Sequence, residues 1–309
     1  YSRHLGNGRV CSRISAKELD MATIGTGKHT YELVENWVKL PDGWVLGQTA
    51  IVTDSQDRVY AFQRKDPPVM IFDRDGNLLD SWGNGAFEFA HGIHIADDII
   101  YVTDRNTSVC IMYTLDGKPI QMLGRHGVHS DTGCENPGDL CPRAAGPFNY
   151  PSEMVPSPSG DLYVSDGYRN ARVHRFTADG ELKQSWGQPG KTEPGHFHLP
   201  HSLLVDDDST VFVCDRENHR IQVFDGDGEF QAIWTDIQRP MDISEGKDGL
   251  LYVSEGSRDD SQSRFSVLDK QGTVLGRFNA RGGHGSWVDA HGDIYVGTPT
   301  SVDKYVRQR

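Results

Sequence analysis

Cysteine is scarce in this 309-residue sequence, and its five copies (Cys11, Cys110, Cys134, Cys141 and Cys214) are scattered. An odd, dispersed set excludes a disulfide-stapled scaffold. Only Cys134 and Cys141, in one Gly/Pro-rich loop, are placed to pair locally. Reduced thiols are the expectation, and they favour a cytoplasmic setting. No apolar run approaches the roughly 18 residues of a spanning helix, so no membrane partner is expected. No leader is visible, and a sequence that opens at Tyr1 without Met reads as processed or trimmed. Positive charge is in deficit, with 31 Lys and Arg against 44 Asp and Glu and a formal net charge of −13. Nucleic-acid binding rests on clustered cations that neutralise phosphates, which excludes that partner. Also missing are a Walker loop, a dinucleotide fingerprint and a Ser-His-Asp set with a nucleophile elbow. Apart from one turn near Ser15 to Met21, no segment carries a helical period.

What the sequence does contain is glycine (34), proline (15) and a repeat. Six segments superimpose, starting near Gly47-Gln48-Thr49, Ala90-His91-Gly92, Pro151-Ser152-Glu153, Pro200-His201-Ser202, Pro240-Met241-Asp242 and Gly283-His284-Gly285. Each leads to a second apolar stretch, such as Ile100-Tyr101-Val102-Thr103, Val211-Phe212-Val213-Cys214 or Leu251-Tyr252-Val253-Ser254. Asp-Gly pairs at Asp75-Gly76, Asp116-Gly117, Asp179-Gly180 and Asp227-Gly228 suit tight hairpins. A period of roughly 40 to 50 residues is that of a propeller blade. The expected fold is therefore all-β, a six-bladed β-propeller over residues 31–309 behind an N-terminal extension, 1–30. The last repeat ends one strand short at Tyr305-Val306. Tyr31 to Leu40 is expected to supply that strand and close the ring, which removes free sheet edges. Ser81-Trp82-Gly83 and Ser185-Trp186-Gly187 should place their tryptophans between blades. The Gly/Pro-rich insertion from His126 to Phe148 is expected to cap one face.

Equivalent repeat positions of the innermost strands face one another across a propeller's channel. Thr49, His91, Ser152, His201, Met241 and His284 share one such position. His91, His201 and His284 come from alternate blades, as three facial ligands of one ion would. Imidazole ligands without carboxylates favour Zn²⁺ over Ca²⁺. His94, His196 and His198 are candidates for a supporting shell. At the channel mouth a second ring carries Arg64, Arg105 and Arg216. Either an anionic small-molecule substrate holds them together, or each pairs with a nearby Asp or Glu. Tyr168 lies one residue beyond that ring, and neighbouring cations would favour its ionised form as a base. Asn170 and Asn218 are expected to bond turn backbone.

Asn218-His219-Arg220-Ile221 resembles the NHL repeat signature. Leu46-Gly47-Gln48, Ala90-His91-Gly92, Val164-Ser165-Asp166-Gly167-Tyr168, Leu199-Pro200-His201-Ser202-Leu203 and Cys214-Asp215-Arg216-Glu217-Asn218 are similar to the catalytic core of peptidyl-α-hydroxyglycine α-amidating lyases. The likeness runs from about Leu46 to the C-terminus. It implies a zinc-dependent six-bladed propeller that cleaves a C–N bond and releases glyoxylate. It further implies His91, His201 and His284 as zinc ligands, Tyr168 as the base, and Arg64 and Arg216 as active-site arginines. Where that family carries cysteines, this sequence has Arg169 after the tyrosine and Val223. Gly282-Gly283 replaces a Met-Pro pair, and Arg105 replaces an apolar residue. Gly285 stands where an aspartate near a structural calcium is frequent, which leaves Ca²⁺ open as a second ion.

Two other readings stay open. An NHL interaction module without catalysis needs no ring of histidines. A calcium-type propeller hydrolase would use carboxylates such as Glu153 and Asp242. A monomer is expected in either case.

Overall fold

Short apolar stretches separated by Asp-Gly turns fold here as hairpins stacked radially. The computed structural model describes residues 23–308, so the turn expected near Ser15 to Met21, and Cys11, lie outside the described residues. Five blades are four-stranded antiparallel sheets, each starting innermost. Blade 1 runs from Thr49–Thr53 to Leu78–Trp82, and blade 2 from Ala90–Ala96 to Pro119–Gly124. Blade 3 runs from Pro151–Pro156 to Leu182–Trp186, blade 4 from Pro200–Val205 to Phe230–Trp234, and blade 5 from Pro240–Glu245 to Val274–Asn279. Among the described residues the single helical element is the 3₁₀ turn Arg216–Asn218. Second strands such as Val211–Asp215 are buried at every position, because sheets cover both of their faces. Fourth strands such as Leu182–Trp186 form the outer edge and are exposed at their start, becoming buried only at the closing tryptophan.

Blade 6 closes the ring with chain from both ends. Ser286–Val288, Ile294–Gly297 and Val302–Arg307 are joined by His29–Val34, which pairs Tyr31 with Arg307 and Leu33 with Tyr305. The closing strand is therefore found, but earlier than the expected Tyr31 to Leu40. Asn36 takes a positive φ of 50° and turns the chain out of the sheet. Trp37 then packs on Phe72 and Tyr295, at centroid distances of 6.0 and 5.0 Å. A further hairpin adds Thr23–Thr26 as a fifth strand, so part of the expected 1–30 extension belongs to the propeller. The repeat could not reveal this strand, because no other blade has a fifth.

The tryptophans do sit between blades, each on a hairpin glycine of the next one. Gly228 has φ +76°, and a Cβ there would lie 2.8 Å from the Trp186 ring. Gly117 against Trp82 and Gly272 against Trp234 repeat the arrangement. Backbone conformation and the flat indole thus demand glycine at once.

The insertion after blade 2 docks on the chain that follows Asp166. Gly138 N donates to Tyr168 O (2.7 Å), Thr132 Oγ1 donates to Arg169 O (2.6 Å), and Arg169 Nε donates to Cys134 O (2.9 Å). Cys110, Cys134, Cys141 and Cys214 are buried free thiols.

Candidate metal centre

Four of the innermost strands, from blades 2 to 5, are irregular in the same place. Their ladders shift register between Ala90 and Ile93, Pro151 and Glu153, Pro200 and Leu203, and Pro240 and Asp242. Bulges at strand starts re-aim side chains, and His91 and His201 fall inside two of them. Gly92 and Gly285 follow His91 and His284 for a steric reason. A Cβ on Gly92 would lie 2.5 Å from Ser152 O, and one on Gly285 2.4 Å from Ala50 Cα. The neighbouring inner strand passes too close for any side chain, which explains Gly285 without reference to an ion.

The three histidines converge. Their ligand nitrogens lie within 4.8 Å of one another, and their ring centroids are 4.8 to 5.0 Å apart. His91 Nδ1 is 2.7 Å from Ser152 O, and His201 Nδ1 is 2.5 Å from Met241 O. A carbonyl only accepts, so both Nδ1 atoms carry the proton and both Nε2 atoms keep a lone pair facing the channel. That support from main-chain carbonyls is how proteins orient imidazoles that bind metal. His284 Nδ1 is buried and has no hydrogen-bond partner among the described residues. Burial pushes all three rings well below the usual imidazole range. His284 and Arg64 add to this at His91, Arg216 at His201, and Arg64 at His284. Neutral imidazoles with inward lone pairs fit a borderline-soft divalent cation such as Zn²⁺.

Tyr168 completes the cluster. Its hydroxyl is 3.0 Å from His91 Nε2 and 3.1 Å from His201 Nε2, and Arg216 Nη1 donates to it at 3.2 Å. Arg64 Nη2 donates to His284 Nε2 (3.0 Å) and Nη1 to Gln48 Oε1 (2.5 Å). Arg64 and Arg105 lie over the Phe89 ring at 4.2 and 3.7 Å, and Arg105 is 4.6 Å from the Tyr168 centroid. Burial, with the other two arginines adding repulsion, lowers the Arg64 guanidinium to about 10. Pairing with a neighbouring acid holds for Arg216, which bonds Glu217 Oε1 at 2.9 Å. It does not hold for Arg64 or Arg105, which form no salt bridge among the described residues.

Other expected residues stay away from the triad. His94 packs on Trp287 with its ring centroid 5.6 Å away, and burial lowers it to about 4. His198 Nε2 meets Gly138 O of the insertion (3.1 Å), and His196 O accepts from Gln222 Nε2 (2.7 Å). Asn170 and Asn218 bond Asp166 and Asp215, each at 2.8 Å, and Asn218 also donates to Gly190 O (2.9 Å). A function missed in the sequence belongs to the acids that end the second strands. Asp104, Asp166, Asp215 and Glu255 are buried and accept main-chain N–H groups of Phe89, Asn149, His198 and Gln238. They anchor the loops that lead into blades 2 to 5. Their recurrence at one repeat position, next to the arginines, was the available signal.

Glu153 and Asp242 line a small cavity behind the three histidines. Burial raises both, Glu153 well above its usual range with Asp242 adding repulsion, and Asp242 to about 7. Neither forms a salt bridge among the described residues.

Residues 197–224 match the NHL repeat family. NHL repeat-containing protein 3 of Homo sapiens is 31% identical over 75% of this chain and 66% of its own length. Its Mus musculus counterpart is 30% identical over 77% and 69%. The Caenorhabditis elegans protein named probable peptidyl-alpha-hydroxyglycine alpha-amidating lyase pgal-1 is 29% identical over 74% of this chain and 66% of its own length. The chain thus spans about two thirds of the curated relatives it matches first. Among solved structures, a streptogramin B lyase superposes with a TM-score of 0.63 at 14% identity, covering 90% of this chain and 98% of that one. At that identity the likeness is one of fold.

Proposed function

The chain belongs to the family of NHL-repeat six-bladed propellers that includes NHL repeat-containing protein 3 and the peptidyl-α-hydroxyglycine α-amidating lyases, and on that premise we propose that it is a zinc-dependent lyase acting on an α-hydroxyglycine-type substrate. The observation that carries the reading is the convergence of three neutral imidazoles on one point with a phenol hydroxyl 3.0 and 3.1 Å from two of them. A binding module has no physical need for such a cluster in its channel. A calcium hydrolase would place carboxylates where the imidazoles stand.

His91, His201 and His284 would hold the ion. A divalent cation bound there would act as a Lewis acid and ease ionisation of a coordinated hydroxyl. Tyr168 acts as its phenolate, with the Arg216 guanidinium donating to Oη, and takes the proton of the substrate's α-hydroxyl. The O–H electrons become the C=O bond of glyoxylate, the C–N bond breaks, and its electrons leave with the nitrogen. Tyr168 returns the proton to that nitrogen, giving an amide with no net proton change. Arg64 and Arg105 hold negative charge on the substrate, and Arg216 supports Tyr168. Burial of His91, His201 and Tyr168 keeps bulk water from competing for the proton.

The test is glyoxylate release from N-acyl-α-hydroxyglycines by protein dialysed against a chelator and then reloaded. Activity should vanish on dialysis and return with zinc. Undiminished turnover by metal-free protein would overturn the reading.

A further inference from the structure

We propose that the substrate carries a second carboxylate, bound by Arg105, so that the enzyme acts on a dicarboxylate; the inference rests on the lyase reading above. Three guanidinium groups surround Tyr168, and among the described residues only Arg216 pairs with an acid, Glu217 at 2.9 Å. Arg64 spends its two Nη atoms on Gln48 and His284 and faces the metal centre. It is therefore placed for the carboxylate next to the reacting carbon.

Arg105 is committed differently. Its Nε and Nη2 both donate to Asn106 Oδ1, at 3.1 and 2.9 Å, which fixes one edge of the guanidinium and leaves the Nη1–Nη2 edge without a carboxylate partner among the described residues. Its flat face lies on Phe89 (3.7 Å), Tyr168 (4.6 Å) and, more distantly, Tyr150 (5.5 Å). Glu88 reaches Asn106 Nδ2 (3.4 Å) rather than the guanidinium. A half-buried cation held rigidly between aromatic faces, with one two-pronged edge free, is built for a planar anion. Two such cations around one bowl repel each other, and a monoanionic substrate would neutralise only one of them. The second carboxylate relieves that repulsion. It must sit on the part of the substrate away from the hydroxyl-bearing carbon, because Arg64 and the histidines occupy the near side.

The test uses 2-hydroxy acids, which have no C–N bond to break and so report binding alone. Metal-loaded protein is titrated calorimetrically with glycolate, malate, 2-hydroxyglutarate and 2-hydroxyadipate, in wild type, Arg105→Gln and Arg105→Lys. In wild type the best-fitting diacid should bind about 30-fold more tightly than glycolate, as one charge-assisted pair implies. Arg105→Gln should bring that ratio close to one, and Arg105→Lys, which keeps the charge but not the fork, should fall between. A wild type that binds no diacid better than glycolate, or an Arg105→Gln protein with the ratio unchanged, overturns the proposal. Failure of the lyase reading would appear separately, as absent glyoxylate release from a protein that still prefers diacids.

Discussion

At the scale of single residues, Tyr168 is the group whose loss should separate chemistry from metal binding. Its hydroxyl contacts His91, His201 and Arg216, but the histidines owe their orientation to Ser152 O and Met241 O. Tyr168→Phe should therefore lower kcat by about 10²–10⁴ while zinc content stays that of wild type, measured on the same preparation. Loss of both together would make Tyr168 a structural prop. Glu153 offers a second test. Its folded-state pKa is raised, so this group stabilises the fold at low pH and that contribution is lost as pH rises through the raised value. The triad histidines titrate with the opposite sign, but they are common to both proteins in a comparison with Glu153→Gln. The variant should match wild type near pH 4, below the unfolded value, and exceed it by at least about 1 kcal/mol near pH 8 in urea unfolding. Equal stability at both pH values would show that the buried acid is already compensated. The triad, Tyr168 and the arginines were legible in the sequence because each recurs at, or interrupts, a repeat position. The partnerless edge of Arg105 was not legible, because partner choice depends on distances between blades.

At the scale of elements, the hairpins explain both what was readable and what was not. Asp-Gly pairs mark the turns locally, and the glycine's second role, giving room to the tryptophan of the previous blade, needs the assembled ring. Gly228→Ala should destabilise by about 1–3 kcal/mol, since a strained φ of +76° and a contact of 2.8 Å with Trp186 act together. Denaturant unfolding measures this, and a change below about 0.5 kcal/mol would mean that the indole shifts freely. The second strands were readable from apolar runs in every blade, Ile294–Gly297 included, and what the sequence left unmarked lies in the sixth. There the Asn36 turn and the outer hairpin carry no repeat signature.

At the scale of the whole molecule, the ring is held by its closure and, on this account, by the ion. Removing the chain through Val34 would take two strands from blade 6 and expose the Val302–Arg307 edge. Such a protein should melt at a lower temperature and associate through that edge, as scanning calorimetry and light scattering would record. An unchanged melting temperature would place the clasp elsewhere. His91, His201 and His284 sit on blades 2, 4 and 6, so a bound ion would tie alternate blades across the channel. The repeat count and the alternation of histidines made this arrangement visible in the sequence. The depth of the site, and the way its carbonyls set each imidazole, belong to the folded ring alone. The most direct measurement of the central claim is elemental analysis of the purified protein beside His201→Ala. The account predicts about one zinc per chain in the former and almost none in the latter. Equal metal content in the two proteins, or none in the wild type after zinc loading, would contradict it.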